Sequence, residues 1–256
     1  MIADGLDMQV KGYKISELSD VPAVPGIYAW YGVLHLGAAD LKRELDQDNK
    51  DLGAKRFRES LSRHTGRFSP PPFSVSLKSS FRDGWSGAAA PTLFEKYVAV
   101  LSHPDGELSA PGFTYPAKAI ERMCSTEKNR VQLNRLIDAA TPVFSAPLYV
   151  GKSSNLKRRL GEHVAALSKF SELAAANSEF LEKLRKKISD PSSEEISADM
   201  NFAMRAVSAG FTSDHLKVYI MEVESCSTLQ DKDATAGAEA LEWLLNSWNR
   251  PVLGRE

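Results

Sequence analysis

Three segments of the chain combine aromatic, β-branched and aliphatic residues in the way that buried strands do. They are residues 24–36, 143–150 and 216–223, the last with the sequence LKVYIMEV. Apolar runs of this length and composition, bounded by turn-forming residues, predict β-strands. Because helical patterns separate them, the sequence predicts an α+β fold: a small, mainly antiparallel three-stranded sheet flanked by helices.

Apolar positions at helical spacing occupy most of the remaining chain. Residues 40–67 are charge-rich and helical in character up to Ser69-Pro70-Pro71-Pro72, which ends any helix. Residues 84–91 are rich in small side chains and predict a loop. Further helices are predicted at 92–101, 118–140, from Asn155 onward, and at 172–188, 198–209 and 235–249.

The order of these elements predicts an interrupted domain. Residues 1–36 and 143–256 supply the three strands and the helices beside them, with a helical insertion at about 170–212. Residues 37–142 lie between the first two strands and predict a large helical insertion.

Composition excludes several classes of protein without selecting one. The chain has 256 residues, of which 43% are hydrophobic and 25% charged, as expected of a globular protein with a core. Its net charge is −1, so a nucleic-acid-binding surface would have to be a local basic patch. Cys124 and Cys226 have neither metal-ligand spacing nor a disulfide framework, which favours a reducing cytoplasm. Neither a membrane span nor a signal peptide is expected from the pattern of apolar runs.

Two helices carry residue pairs suited to catalysis. Arg159 and His163 are four residues apart and share one flank of a helix whose buried stripe we predict to contain Leu156, Leu160, Val164 and Leu167. Such a pair could bind an anion and move a proton, although spacing alone favours an amphipathic helix with a solvated basic face. Glu239 and Glu242 are three residues apart and share a face of the last helix. One of them could be a metal-binding carboxylate, or both could be solvated surface glutamates.

Two short motifs give these residues a context. Gly26-Ile27-Tyr28 lies in the first predicted strand, and Tyr149-Val150-Gly151 ends the second, with Tyr149 standing 121 residues after Tyr28. With the following arginine and a glutamate nine residues before Pro251, the chain resembles the GIY-YIG nuclease superfamily, and within it the restriction endonucleases. The resemblance covers about residues 21–36 and 143–254, and it departs from the family at Gly254, where an asparagine is usual, and in the long gap between the motifs.

The resemblance implies a role for each matched residue. Tyr28 would be the general base or water-positioning group, assisted by His163, and Tyr149 would position water or phosphate. Arg159 would bind the scissile phosphate, and Lys152 would contact phosphate as well. Glu242, rather than the weaker candidate Glu239, would hold Mg²⁺, or Mn²⁺ in its place.

The function implied is Mg²⁺-dependent hydrolysis of phosphodiester bonds in double-stranded DNA, of the site-specific restriction or defence type. A non-catalytic nucleic-acid-binding protein on the same fold, or a structure-specific nuclease for flaps and branches, are the alternatives. A palindromic target would imply a homodimer. Candidate DNA-binding residues are Arg56, Arg63, Arg67, Arg158, Lys183, Arg185, Lys186 and Lys187. Arg56, Arg63 and Arg67 could alternatively read guanine edges in the major groove. A solvated helical face explains the basic residues of 42–67 and of 183–187 equally well.

Overall fold

The computed structural model describes residues 10–68, 73–78, 84–89, 114–189, 202–223, 231–248 and 251–253. These residues fall into two compact units. The first unit takes its residues from 1–33, 142–188 and 193–256, and the second from 34–141 and 189–192.

The described part of the chain contains both strands and helices, numbered here along the chain. The strands are β1 (Val10–Lys14), β2 (Gly26–Gly32), β3 (Phe73–Lys78), β4 (Gly84–Ala89), β5 (Tyr149–Ser153) and β6 (Leu216–Glu222). The helices are α1 (Ala38–Leu41), α2 (Leu52–Arg67), α3 (Thr114–Cys124), α4 (Glu127–Phe144), α5 (Leu156–Ala176), α6 (Ser178–Ser189), α7 (Phe202–Ser208) and α8 (Asp231–Trp248). Two short 3₁₀ helices cover Ile15–Asp20 and Ser213–His215. No described helix combines the length and the apolar character that crossing a membrane requires.

The first unit is built on a four-stranded antiparallel sheet in the order β1-β6-β2-β5. The predicted α+β class and antiparallel sheet are confirmed, whereas the predicted number of three strands is wrong. The missed strand, β1, is an edge strand whose residues are nearly all exposed. Because it buries neither face, it lacks the alternation of apolar and polar residues by which a strand is recognised in sequence.

Alternate residues of β2 point to opposite faces of the sheet, as strand geometry requires. Tyr28 and Trp30 face α5, whose buried positions are Leu156, Leu160, His163 and Leu167. Ile27 and Ala29 face α8 and pack with side chains of that helix, among them Ala238, Leu241 and Leu245. The sheet therefore lies between two helices, and its central strand is buried on both faces.

The start of α5 is fixed by a local side-chain contact. Asn155 caps the helix, because its side chain accepts a hydrogen bond from the Arg158 backbone N–H at 2.9 Å. His163 takes a place in the buried stripe, while Val164, predicted there, is only half-buried. The predicted stripe is therefore buried at Leu156, Leu160 and Leu167, and His163 joins it because Tyr28 supplies a buried hydrogen-bond partner for the imidazole.

The second unit is not wholly helical as predicted. Strands β3 and β4 pair antiparallel, with Phe73 opposite Ala89, so part of the predicted loop 84–91 is a strand. The predicted helix 40–67 is also interrupted, since α1 ends at Leu41 and α2 begins at Leu52. Asp51 starts α2 by accepting hydrogen bonds from the backbone N–H groups of Gly53 and Ala54.

Other boundaries were predicted with mixed success. The predicted strand 143–150 starts only at Tyr149, because residues up to Phe144 complete α4. Phe144 is 85% exposed, so the apolar residues that favoured a strand there are a helix end facing solvent. The predicted helix 118–140 is two helices, α3 and α4, and the predicted helix 92–101 lies outside the described residues.

A buried arginine organises the second unit. The side chain of Arg130, on α4, is 0% exposed and donates to the carbonyls of Leu41 and Cys124 and to the carboxylate of Asp51. These bonds tie the segment between α1 and α2 to α4. A guanidinium can be buried in this way only because several acceptors replace the water it loses.

Candidate active site

The two motif tyrosines lie on neighbouring strands. In the register of β2 and β5, Tyr28 is opposite Gly151 and Trp30 is opposite Tyr149, so both tyrosines point to the same face of the sheet. Their ring centroids are 6.1 Å apart. The motifs, distant in sequence, thus meet through strand pairing.

Each motif glycine leaves room for a neighbouring group. A Cβ at Gly151 would lie 2.6 Å from the Tyr28 hydroxyl oxygen and 2.8 Å from Tyr149 Cε1, closer than side chains tolerate. A Cβ at Gly26 would lie 2.5 Å from the carbonyl oxygen of Met221 and 2.7 Å from Leu156 Cδ1. Glycine at 151 therefore allows Tyr28 to lie across β5, and glycine at 26 allows α5 to approach β2.

His163 is a hydrogen-bond partner of Tyr28. The Tyr28 hydroxyl lies 2.8 Å from His163 Nε2, and both side chains are buried, with 1% and 7% of their surfaces exposed. Burial, aided by the charge of Arg159, lowers the pKa of His163 to about 4, so the imidazole is neutral at pH 7. Burial, together with Tyr149, raises the pKa of Tyr28 well above its usual value. The resting pair is consequently uncharged.

Arg159 lies at the open side of this pair. Its hydrogen bond with Tyr28 is the largest cause of a raised pKa for the guanidinium, so the charge of Arg159 is permanent. The same side chain makes an ion pair with Glu162, Nη1 to Oε2 at 3.0 Å, and Arg158 pairs with the other carboxylate oxygen at 2.8 Å. One exposed carboxylate therefore bridges two arginines of α5.

Phe202, at the start of α7, covers the cluster on its far side. Its ring stacks on Trp30 with centroids 5.4 Å apart and contacts the rings of Tyr149 and His163 at 5.4 and 5.6 Å. Neither Phe202 nor Glu162 was among the predicted site residues. Glu162 could have been found from its spacing to Arg158, since charges four apart on a helix meet; Phe202 carries no signal in the sequence.

Lys152 belongs to β5 and points to the other face of the sheet, where Glu242 of α8 lies beside it. Lys152 Nζ lies 2.5 Å from Glu239 Oε1 and 3.9 Å from Glu242 Oε2, so the lysine is bound mainly to Glu239. The side chain of Glu242 is 25% exposed, against 58% for Glu239. Burial raises the pKa of Glu242, while the positive charges of Lys152 and Arg159 oppose the rise. Glu242 thus lies within electrostatic reach of Arg159.

A cleft of about 430 Å³ lies between α5 and α8. Its polar lining comes from the end of β5 and from both helices: Lys152, Ser153, Ser154, Arg158, Arg159, Glu162 and Glu239. The backbone N–H groups that begin α5 do not point into this cleft as free donors. Leu156 and Lys157 donate to the carbonyls of Val24 and Pro22, and Arg158 donates to Asn155. These three backbone N–H groups are therefore not available to an anion in the cleft.

Glu242, which lies 3.9 Å from the cleft residue Lys152, has the chemistry to hold a divalent cation. Its carboxylate is partly buried and its nearest cationic nitrogen, that of Lys152, is 3.9 Å away, so its charge is incompletely balanced. Mg²⁺ is commonly held by one or two carboxylates and by water. Within the described ranges there is no cluster of three or more His, Cys, Asp or Glu side chains suited to a metal ion. Glu242 would therefore hold the ion with water and phosphate oxygens as its remaining ligands.

The predicted DNA-binding residues lie in both units. In the first unit, Arg158 lines the cleft, Lys183 pairs with Glu179 at 2.8 Å, and Arg185 donates to the carbonyl of Ser208. Lys186 and Lys187 belong to α6, but their side chains lie outside the described residues, as does Gly254.

The three predicted base-reading arginines lie on α2 of the second unit. Arg56 is paired with Glu44 at 2.5 Å and lies 4.0 Å from Asp40, and Arg63 donates to the Ser60 hydroxyl. Burial and the charge of Arg63 lower the pKa of Arg67. Arg56 is thus held by acids, which weakens its candidacy for reading guanine.

Comparisons of the chain with protein-family models, with curated proteins and with solved structures found no match. The functional argument therefore depends on the geometry of the site.

Proposed function

We propose that the chain is a metal-dependent endonuclease of the GIY-YIG kind that hydrolyses DNA phosphodiester bonds, of the site-specific restriction or defence type. The observation that carries this proposal is the convergence at β5. Tyr28, Tyr149, Arg159 and His163 form a connected cluster on one face of the sheet. Glu242 reaches the same strand from the other face.

Arg159 is suited to bind the scissile phosphate. A guanidinium presents a planar set of N–H donors that match phosphate oxygens, and its charge persists at every pH of interest. Without substrate, Nη1 of Arg159 is paired with the carboxylate of Glu162. A phosphate would take the place of that carboxylate, which presents the same kind of negatively charged oxygen pair.

Tyr28 and His163 are suited to accept a proton from the attacking water. The phenolate of Tyr28 is scarcely populated at neutral pH because burial raises its pKa. We propose that water gives its proton to the Tyr28 oxygen as the Tyr28 proton moves to His163 Nε2. The negative charge of a bound phosphate would raise the pKa of the imidazole and so assist this transfer.

Glu242 would hold the divalent cation, Mg²⁺ or Mn²⁺. When bound, such an ion stabilises negative charge on the phosphate and leaving oxygens. Lys152 lies beside Glu242 and would contribute a second positive charge once phosphate oxygens compete with Glu239 for its ammonium.

Paired substitutions on the two helices test the proposal in a Mg²⁺-dependent plasmid-cleavage assay. Arg159→Ala and Glu242→Gln are expected to abolish cleavage while circular dichroism and melting temperature stay near those of the parent. Arg158→Ala and Glu239→Gln are matched controls from the same helices, and they should change KM more than kcat. Cleavage that survives both Arg159→Ala and Glu242→Gln would refute the assignment.

One observation favours the non-catalytic alternative. Tyr28 is 1% exposed, so the attacking water must displace packed side chains to reach its hydroxyl. Binding of DNA without nicking, with Mg²⁺ and with Mn²⁺, would support that alternative.

Discrete bands from plain duplex would support a site-specific enzyme. Cleavage restricted to branched DNA would support a structure-specific one.

A further inference from the structure

Glu162 lies among the cations of the cleft. Two of the described residues that line the cleft carry carboxylates, Glu162 on α5 and Glu239 on α8. Glu239 is bound to Lys152, whereas Glu162 is bound to two arginines of its own helix. Glu162 Oε2 lies 3.0 Å from Arg159 Nη1, and its Oε1 lies 2.8 Å from Arg158 Nη1. Each carboxylate oxygen of Glu162 thus has a different guanidinium as its partner.

The bridging carboxylate is chemically similar to the group that the proposed substrate would bring. The hydrogen bond from Arg159 lowers the pKa of Glu162, so the carboxylate is ionised at neutral pH. A carboxylate and a phosphodiester each spread one negative charge over two oxygens, and a guanidinium binds both groups through the same N–H donors. In the free protein, Glu162 therefore occupies a donor of Arg159 that a phosphate would use.

We propose that Glu162 competes with the substrate phosphate for Arg159, and that Arg158 holds the displaced carboxylate. This role rests on the proposed function. Displacement is feasible because the side chains of Arg159 and Glu162 are both 43% exposed, and exposed ion pairs are weak. The pair between Arg158 and Glu162 involves no atom of Arg159, so it can persist while a phosphate binds Arg159.

The competition lowers the affinity of the cleft for phosphate. An incoming phosphate must break the pair between Glu162 and Arg159, and it then lies near a carboxylate that still carries its charge. DNA consequently binds less tightly than the two arginines of α5 would allow by themselves. Glu162 thus sets the affinity for DNA without being a ligand of it.

The first test measures the Kd of a fluorescent duplex oligonucleotide without divalent ions, a condition in which a metal-dependent nuclease leaves the DNA intact. Glu162→Gln should lower this Kd about tenfold, because it removes both the competing ion pair and the repulsion of phosphate. Glu172→Gln is the matched control, since it removes the same charge from an exposed position of α5 that lies about 15 Å further along the helix axis. It should change the Kd by less than about twofold, because the distance exceeds the Debye length at physiological salt. Equal Kd values for the two variants would overturn the competition.

The second test asks what Arg158 does. Arg158→Ala should weaken DNA binding in the parent, because Glu162 then pairs with Arg159 alone. The same substitution should weaken binding less in the Glu162→Gln protein, where no carboxylate has to be held. Equal losses in the two backgrounds would show that Arg158 contacts DNA directly, and would overturn its role in holding the carboxylate.

Cleavage kinetics separate competition from a role in orienting Arg159. With Mg²⁺ and saturating protein, the single-turnover rate of Glu162→Gln should equal that of the parent, because the competitor acts on binding alone. A lower rate would mean that Glu162 orients Arg159, which would overturn the proposal.

The two proposals fail in different ways. A parent that cleaves DNA, together with an unchanged Kd in Glu162→Gln, would refute the competition and leave the nuclease assignment intact. Tighter DNA binding by Glu162→Gln, in a protein whose parent never cleaves DNA, would support the competition and refute the nuclease assignment.

Discussion

The hydroxyl of Tyr28 lies 2.8 Å from Nε2 of His163, although the two residues are 135 positions apart in the sequence. The pair is shielded from water by Trp30, Tyr149 and Phe202. Neither member is ready to accept a proton by itself, because burial raises the pKa of the phenol, so that its phenolate is scarcely populated, and lowers the pKa of the imidazole. Their hydrogen bond provides a path for a proton to move from the Tyr28 hydroxyl to His163 Nε2.

The first prediction concerns stability and pH. The pKa of His163 is about 4 in the folded protein, against about 6.5 unfolded. Between these values the unfolded chain binds more protons, so the stabilising contribution is complete above about pH 6.5 and is lost toward pH 4, by about 3 kcal/mol. Urea unfolding across this range should show a flatter dependence for His163→Asn than for wild type. Parallel curves would contradict the lowered pKa.

The second prediction separates the Tyr28 hydroxyl, which we propose to act in catalysis, from the packing of the Tyr28 ring. Tyr28→Phe should reduce the single-turnover cleavage rate by about 100-fold or more and lower the free energy of unfolding by about 1 kcal/mol. Tyr31 is the matched control, because it lies on the same strand but packs on Tyr219 across the opposite face of the sheet. Tyr31→Phe should cleave at the wild-type rate. Equal rates for the two variants would argue against a role for the Tyr28 hydroxyl.

The third prediction uses two glycines with opposite surroundings. Gly151→Ala forces its Cβ against Tyr28 and Tyr149 and should destabilise the protein by about 1–3 kcal/mol. Gly161 lies within α5, and a Cβ there meets nothing within 4 Å. Gly161→Ala should therefore stabilise the protein by up to about 1 kcal/mol through helix propensity. Chemical unfolding of both variants measures the change in unfolding free energy and its sign. A stabilising Gly151→Ala would contradict the close packing of Gly151 against Tyr28 and Tyr149.

The fourth prediction concerns the second unit. Arg130→Met removes three donated hydrogen bonds from buried or partly buried acceptors and should cost about 3 kcal/mol of unfolding free energy. Arg135, an exposed residue of the same helix, is the control. Arg135→Met should change stability by less than about 0.5 kcal/mol. A similar loss in both variants would mean that the buried network contributes little.

Local signals in the sequence identified several elements correctly. The strand at Leu216–Glu222 followed from its apolar, β-branched composition, and the start of α5 from the capping side chain of Asn155. Strand β1 was missed because an exposed edge strand has no apolar periodicity. The break between α1 and α2 was missed because it is held by Asp51 and the distant Arg130.

By itself, the sequence determined the α+β class, most of the helices of the first unit and the residue types available for the proposed nuclease site. These depend on interactions within a few residues, which a local pattern records. Only the tertiary structure decided that Tyr28 and His163 share a buried hydrogen bond, that Lys152 lies closer to Glu239 than to Glu242, and that Glu162 bridges Arg158 and Arg159. Strand register, burial and the resulting pKa values depend on how segments far apart in the sequence pack together. A pattern of neighbouring residues carries no information about such contacts.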